Sequence, residues 1–76
     1  MNTDELKIYF SKMKLEGPIH LGPGETIADP QLFVRGHLNV LSSYPPDSKV
    51  SVPFHDRLMK LREMIKAGKV SVIYLD

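Results

Sequence analysis

The chain contains no cysteine and no tryptophan in its 76 residues. Without cysteine there is no disulfide scaffold, no thiolate zinc site and no cysteine nucleophile. Long hydrophobic runs are missing as well. The start, Met1-Asn2-Thr3-Asp4-Glu5, is acidic, and no apolar stretch of signal-peptide or membrane-span length follows it. The expectation is a soluble, cytoplasmic protein without a membrane partner. An excess of one charge is also lacking, since 10 Lys+Arg against 9 Asp+Glu give a net charge of +1. What remains is ordinary globular composition, 42% hydrophobic and 25% charged, which excludes a disordered chain. The length allows one small domain over 1–76. A domain of this size hides only about 60–65% of its unfolded surface, so its stability is marginal or shared with a partner.

The six prolines and five glycines are clustered. They fall at 17–18, 22–24 and 30, at 45–46 and 53, and at 68, with Gly36 alone outside the clusters. Three breaker-poor stretches of helical length lie between them. In the first, Asn2 is a cap with Glu5 three residues on, and Leu6, Tyr9, Phe10 and Met13 recur with helical spacing. In the second, Asp29 caps and Pro30 suits the first helical position. Phe33, Val34, His37, Leu38 and Leu41 share a face, and Tyr44-Pro45 stops the helix. In the third, which begins near Ser51 or Val52, Phe54, Leu58, Leu61 and Ile65 form a narrow seam. Asp56 and Lys60 are spaced for an ion pair, and Gly68 suits the left-handed position after the helix. The spacing therefore predicts helices over 3–15, 30–43 and 52–67, packed on these apolar residues. Pro23-Gly24 suits a type II turn. Val70-Ser71-Val72-Ile73-Tyr74-Leu75 has the highest strand propensity in the chain. Left uncovered, it would be an aggregation hazard, so it should pair with 18–21 or with its twin in another chain. The fold class expected is mainly α, a single compact three-helix domain. It becomes α+β if 18–21 and 70–75 form a short two-stranded pairing.

No constellation of catalytic residues stands out. His37 lies mid-face on the second helix and reads as a packed histidine with a ring nitrogen bonded to backbone. His20, His37 and His55 share no i,i+3 or i,i+4 spacing, so no metal site is expected. Gly22-Pro23-Gly24-Glu25-Thr26 fails as a phosphate loop, because Ile27 stands where a third glycine is needed and Glu25 would repel phosphate. The expectation is a non-enzyme with no cofactor and no metal.

Two surfaces are left. Residues 1–48 hold four basic and six acidic side chains, a balance of −2, whereas 49–69 hold six basic and two acidic, a balance of +4. Arg57, Lys60, Arg62, Lys66 and Lys69 are thus candidates for binding an anion. Nucleic acid is the less favoured occupant. The loop before the third helix is too long for a helix-turn-helix. The pI near 8.0 is below the basic footprint of about 9, and no aromatic residue interleaves the stripe to stack on bases. The second surface is apolar. Ile8, Leu15, Leu32, Val40 and Met59 lie off the expected core faces. Leu32, Gly36 and Val40 stack at i, i+4 and i+8, so Gly36 makes a notch that the 70–75 tail or a second subunit could fill. With Val72 and Tyr74 they form a candidate interaction surface for an unknown protein or a homodimer.

One run carries a resemblance. Ile19-His20-Leu21-Gly22-Pro23-Gly24-Glu25-Thr26-Ile27-Ala28-Asp29, followed by Phe33-Val34, His37-Leu38, Pro53-Phe54 and Asp56-Arg57-Leu58, is similar to a family of short bacterial proteins of unknown function from gut Bacteroidetes. The resemblance spans most of 5–65 and leaves the tail outside. It implies a bacterial, intracellular setting and no activity, cofactor or catalytic residue. The function expected is a non-catalytic interaction or self-association module. The alternative is a binder of nucleic acid or another anion through the third helix.

Overall fold

Asn2 fixes where the chain first becomes helical. Its Oδ1 accepts the Glu5 N–H at 2.8 Å, satisfying one of the donors that a helix start leaves open. The computed structural model describes residues 2–75. Its elements are helix α1 (Thr3–Ser11), strands β1 (Met13–Leu15), β2 (Ile19–Gly22) and β3 (Glu25–Ile27), helices α2 (Pro30–Ser43) and α3 (Ser51–Lys66), and strand β4 (Val72–Tyr74). The architecture is mixed α+β.

The first expected helix is too long by four residues. α1 ends at Ser11, and Met13–Leu15 is a strand with Met13 and Leu15 buried and Lys14 exposed. The reason is geometric. On a continuous helix Leu15 would lie about 180° from Leu6, nine residues earlier, so both could not face one core. Alternation along a strand buries Met13 and Leu15 together.

The expected pairing of 18–21 with 70–75 does not form. β2 pairs antiparallel with β3, Ile19 opposite Ile27 and His20 opposite Thr26. The Pro23-Gly24 turn closes this hairpin with Gly24 at φ +73, as a type II turn requires. A hairpin with so short a loop costs little closure entropy and forms in preference to a distant pairing. β4 pairs antiparallel with β1 instead, Met13 opposite Tyr74, Lys14 opposite Ile73 and Leu15 opposite Val72.

α2 has the bounds its caps announce. Asp29 Oδ1 accepts the Leu32 N–H at 3.2 Å, with Pro30 in the first turn. α3 has a cap that the sequence reading missed. Ser48 Oγ accepts the Ser51 N–H at 3.0 Å, and Ser48 O accepts the Val52 N–H at 3.1 Å. Ser51 itself is fully buried. Ser48→Ala is expected to lower stability by about 1 kcal/mol, the usual cost of losing such a cap, read as a lower urea midpoint. No change would remove Ser48 from that role. At the other end Gly68, at φ +74, donates to Ile65 O, and Lys69 donates to Met64 O. This Schellman closure turns the chain back toward β1.

α2 packs against both α1 and α3, and α3 also packs on β2. The buried core draws Leu6, Phe10, Val34, Leu41, Leu58, Leu61 and Ile65 from the helices. The strands supply Met13, Leu15, Ile19, Leu21 and Ile27, and Val70 completes it. Tyr9, Phe33, His37, Leu38 and Phe54, expected in the core, are only partly buried. Leu15, expected outside it, is buried. The Asp56–Lys60 pair is not among the ion pairs of the described residues, which join His55 to Asp56, Arg57 to Glu25 and Arg62 to Glu63.

Candidate interaction surfaces

β4 is the outer strand of a two-stranded sheet. Ser71 O accepts the Glu16 N–H at 3.1 Å, and Leu75 N–H donates to Lys12 O at 2.8 Å. In an antiparallel pair, alternate residues turn their backbone groups toward the partner. Ser71, Ile73 and Leu75 therefore face β1, and the N–H and C=O groups of Val72 and Tyr74 face outward. On the far edge of β1, at its last residue, Gln31 Oε1 accepts the Leu15 N–H at 3.2 Å. β4 is the opposite edge of this sheet. Its side chains are apolar: Val72 is half-buried against the core, and Ile73 at 48%, Tyr74 at 68% and, just beyond the strand, Leu75 at 54% are exposed. Edge strands in stable monomers are usually very short or carry a lysine, a proline or a bulge. β4 is short, at three residues, but Val72–Leu75 carries no lysine, proline or bulge.

Tyr74 lies beside an aromatic cluster at the end of α1. Tyr9 meets Phe10 edge-on at 5.2 Å, and the Arg62 guanidinium stands 5.5 Å from the Tyr9 ring centre. Burial raises the Tyr9 phenol above its ordinary pKa, Arg62 opposes that rise, and Tyr74 and Glu63 add to it.

The Leu32–Gly36–Val40 ridge runs along the solvent side of α2. Leu32 is 58% exposed, and a Cβ built at Gly36 would meet nothing within 4 Å. The expectation that the tail fills the notch at Gly36 is therefore not met. β4 is used on β1, and the ridge and the β4 edge are separate surfaces.

The basic side chains of α3 are divided. Arg57 and Lys66 are nine residues apart, about 180° around the helix. Arg57 Nε stands 3.4 Å from Glu25 Oε1, and its guanidinium stacks 5.5 Å from Phe54. Lys60 lies over the hairpin, its Nζ 3.2 Å from where a Cβ of Gly22 would sit. Arg62 is on the α1 side, bonded to Glu63 at 2.8 Å. Lys66 and Lys69 are exposed. The five residues do not form one continuous patch, and two of them are already paired with carboxylates.

His37 is held as the sequence suggests. Its Nδ1 lies 2.8 Å from Phe33 O, and because a carbonyl only accepts, the ring donates there. The imidazole is stacked between Phe33, centroid distance 3.8 Å, and Phe54, 4.6 Å. Nε2 is buried without a hydrogen-bond partner. A proton on Nε2 would be a buried, unsatisfied donor. Burial accordingly lowers the pKa below 6.5. The Phe33 carbonyl works against this, Arg57 adds to the lowering, and Glu25 opposes it. The group is thus harder to protonate folded than unfolded. Its contribution to stability is complete above pH 6.5 and is lost as pH falls from there through the lowered folded value. The thermal midpoint of the protein is expected to drop over that window, and His37→Leu should flatten that part of the profile. An identical slope in the variant would refute the assignment.

The remaining concavities are open. One is a groove of about 670 Å³ between the first turn of α1 and the α2 and α3 residues Leu41, Val52, His55 and Asp56. The His20–Thr26 contact, 3.1 Å, is an exposed cross-strand pair of the hairpin. Among the described residues no group of three or more His, Asp or Glu is placed to hold a metal, and no helix is long and apolar enough to cross a membrane.

Compared with known proteins, residues 1–67 match the family model described as a domain of unknown function, DUF6965. The match ends before β4, much as the sequence resemblance left the tail outside, and it carries nothing on a bacterial origin. No curated protein and no solved structure matches the chain.

Proposed function

From a chain that belongs to the DUF6965 family, a domain of unknown function, we propose a non-catalytic interaction module that binds an extended polypeptide by strand addition at β4. The observation that carries this reading is the β4 edge, where the backbone groups of Val72 and Tyr74 face outward and the apolar side chains of Ile73 and Tyr74 are exposed. Main-chain bonds at such an edge supply affinity, and alternate side chains supply selectivity. A two-stranded sheet is marginal in water by itself, and a further strand stabilises it. Anion binding through Arg57, Lys60, Arg62, Lys66 and Lys69 is the weaker reading, because α3 spreads the first four around its circumference, Lys69 lies beyond its end, and Arg57 and Arg62 already face Glu25 and Glu63.

The test uses a fluorescent peptide of alternating valine and threonine. It is expected to bind the wild-type chain. Tyr74→Pro should abolish binding, because it deletes an outward N–H without removing a bond to β1. Absence of both peptide binding and self-association at high micromolar protein would overturn the proposal.

A further inference from the structure

We propose that the strand added at β4 is β4 of a second copy of this chain, antiparallel about a two-fold axis at Ile73. The inference rests on the strand-addition reading and names its partner. Three properties of the edge point to a second copy.

The first is backbone complementarity. With Ile73 opposite Ile73, Val72 of each copy faces Tyr74 of the other. The residues whose N–H and C=O groups point outward are Val72 and Tyr74, so both facing pairs are hydrogen-bonded pairs. Every outward donor meets an acceptor, and none of the bonds to β1 is disturbed.

The second is side-chain complementarity. The same register places Val72 beside Tyr74 on one face and Ile73 against Ile73 on the other. β-branched residues against aromatic or aliphatic neighbours are favourable cross-strand pairs. No charged residue lies between Val70 and Leu75, so no like charges meet across the new ladder. The nearest charge on the strand alongside is Lys14, opposite Ile73 in β1. The two copies of Lys14 would be three strand spacings apart, about 14 Å, beyond the screening length of about 8–10 Å.

The third is closure. Pairing joins two two-stranded sheets into one of four strands, ordered β1-β4-β4-β1. Its outer edges are then the two β1 strands, each with its Leu15 N–H bonded by its own Gln31. The two-fold pairing uses both β4 edges at once, so the contact itself closes as a pair and does not repeat. A foreign strand at β4 would instead present its own far edge. The contact is short, so the dimer is weak and visible at high micromolar concentration.

The absence of native cysteine makes single-cysteine variants clean reporters. Facing residues at the non-hydrogen-bonded position lie about 4.5 Å apart at Cα, within the disulfide range of about 4.4–6.8 Å. Under mild oxidation Ile73→Cys is expected to run mainly as a covalent dimer. Ile8→Cys and Leu32→Cys, on exposed positions of α1 and α2, should remain monomeric. Adding Tyr74→Pro to Ile73→Cys should suppress the cross-link, as should Tyr74→Lys, which keeps the N–H and sets like charges on the edge. Sedimentation of the wild type should show concentration-dependent dimers that either substitution removes. Cross-linking through Leu32→Cys in place of Ile73→Cys would overturn the proposal in favour of the α2 ridge. A wild-type chain that stays monomeric while binding the valine-threonine peptide would overturn the second copy as occupant and leave strand addition standing. Loss of both would remove both readings.

Discussion

Leu58→Ala is expected to remove about 2–5 kcal/mol of stability, the range for truncating a buried leucine. Leu58 has no exposed surface, and Leu61 and Ile65 extend the same buried seam along α3. α3 packs on both α2 and β2, so a cavity at Leu58 lies where the helices meet the hairpin. A domain of this length has about 4–11 kcal/mol in all, at about 0.05–0.15 per residue. The substitution therefore consumes a large share of the total and leaves a measurable unfolded fraction at room temperature. The check is urea unfolding followed by helical circular dichroism, with a lower midpoint at an unchanged slope. Leu32→Ala is the internal comparison. Leu32 is 58% exposed, and a surface change of this kind stays within about 0.5 kcal/mol. Equal effects of the two substitutions would mean that the α3 seam is not the core.

The elements legible in the sequence are those specified by neighbouring residues. α2 starts and stops where Asp29-Pro30 and Tyr44-Pro45 require, because capping is chemistry between residues three or four apart. Asn2 and Gly68 act as expected for the same reason. The strands are less legible. β1 is embedded in a run whose Leu6, Phe10 and Met13 satisfy helical spacing, and Leu15 is the one residue that spacing cannot bury. Glu25–Ile27 is too short to show a period, so the Pro23-Gly24 turn was readable while its outgoing strand was not. Strand propensity identified the 70–75 segment, but its partner depends on where Gly68 redirects the chain, and that is tertiary geometry. The candidate surfaces divide in the same way. Exposure at Tyr74 and Leu32 follows from apolar residues left over after the core is filled. The basic stripe of α3 is real along the chain. Around the helix it separates, since Arg57 and Arg62 turn toward different neighbours.

Gly17→Ala and Gly36→Ala are expected to shift stability in opposite directions. A Cβ at Gly17 would lie 2.7 Å from the Ala28 carbonyl oxygen and 2.8 Å from Pro30 Cδ. One is backbone and the other a closed ring, so neither can rotate away. The chain itself must move, at a cost of about 1–3 kcal/mol for overpacking of this kind. Ala28 and Pro30 flank Asp29, whose carboxylate caps α2. Displacing that cap would add about 1 kcal/mol. Gly36 is the reverse case. It is mid-helix with open space where its Cβ would go, so alanine supplies helix propensity without a clash and should stabilise by about 1 kcal/mol. Urea midpoints of the two variants should fall on opposite sides of the wild type, and a stabilising Gly17→Ala would contradict the approach of the β1–β2 connection to the start of α2. Gly36→Ala bears on association as well, because the methyl group fills the notch between Leu32 and Val40. If association uses the β4 edge, the variant gains stability and its dimerisation is unchanged. If a second copy sits in that notch, the same methyl group weakens association while the fold becomes more stable.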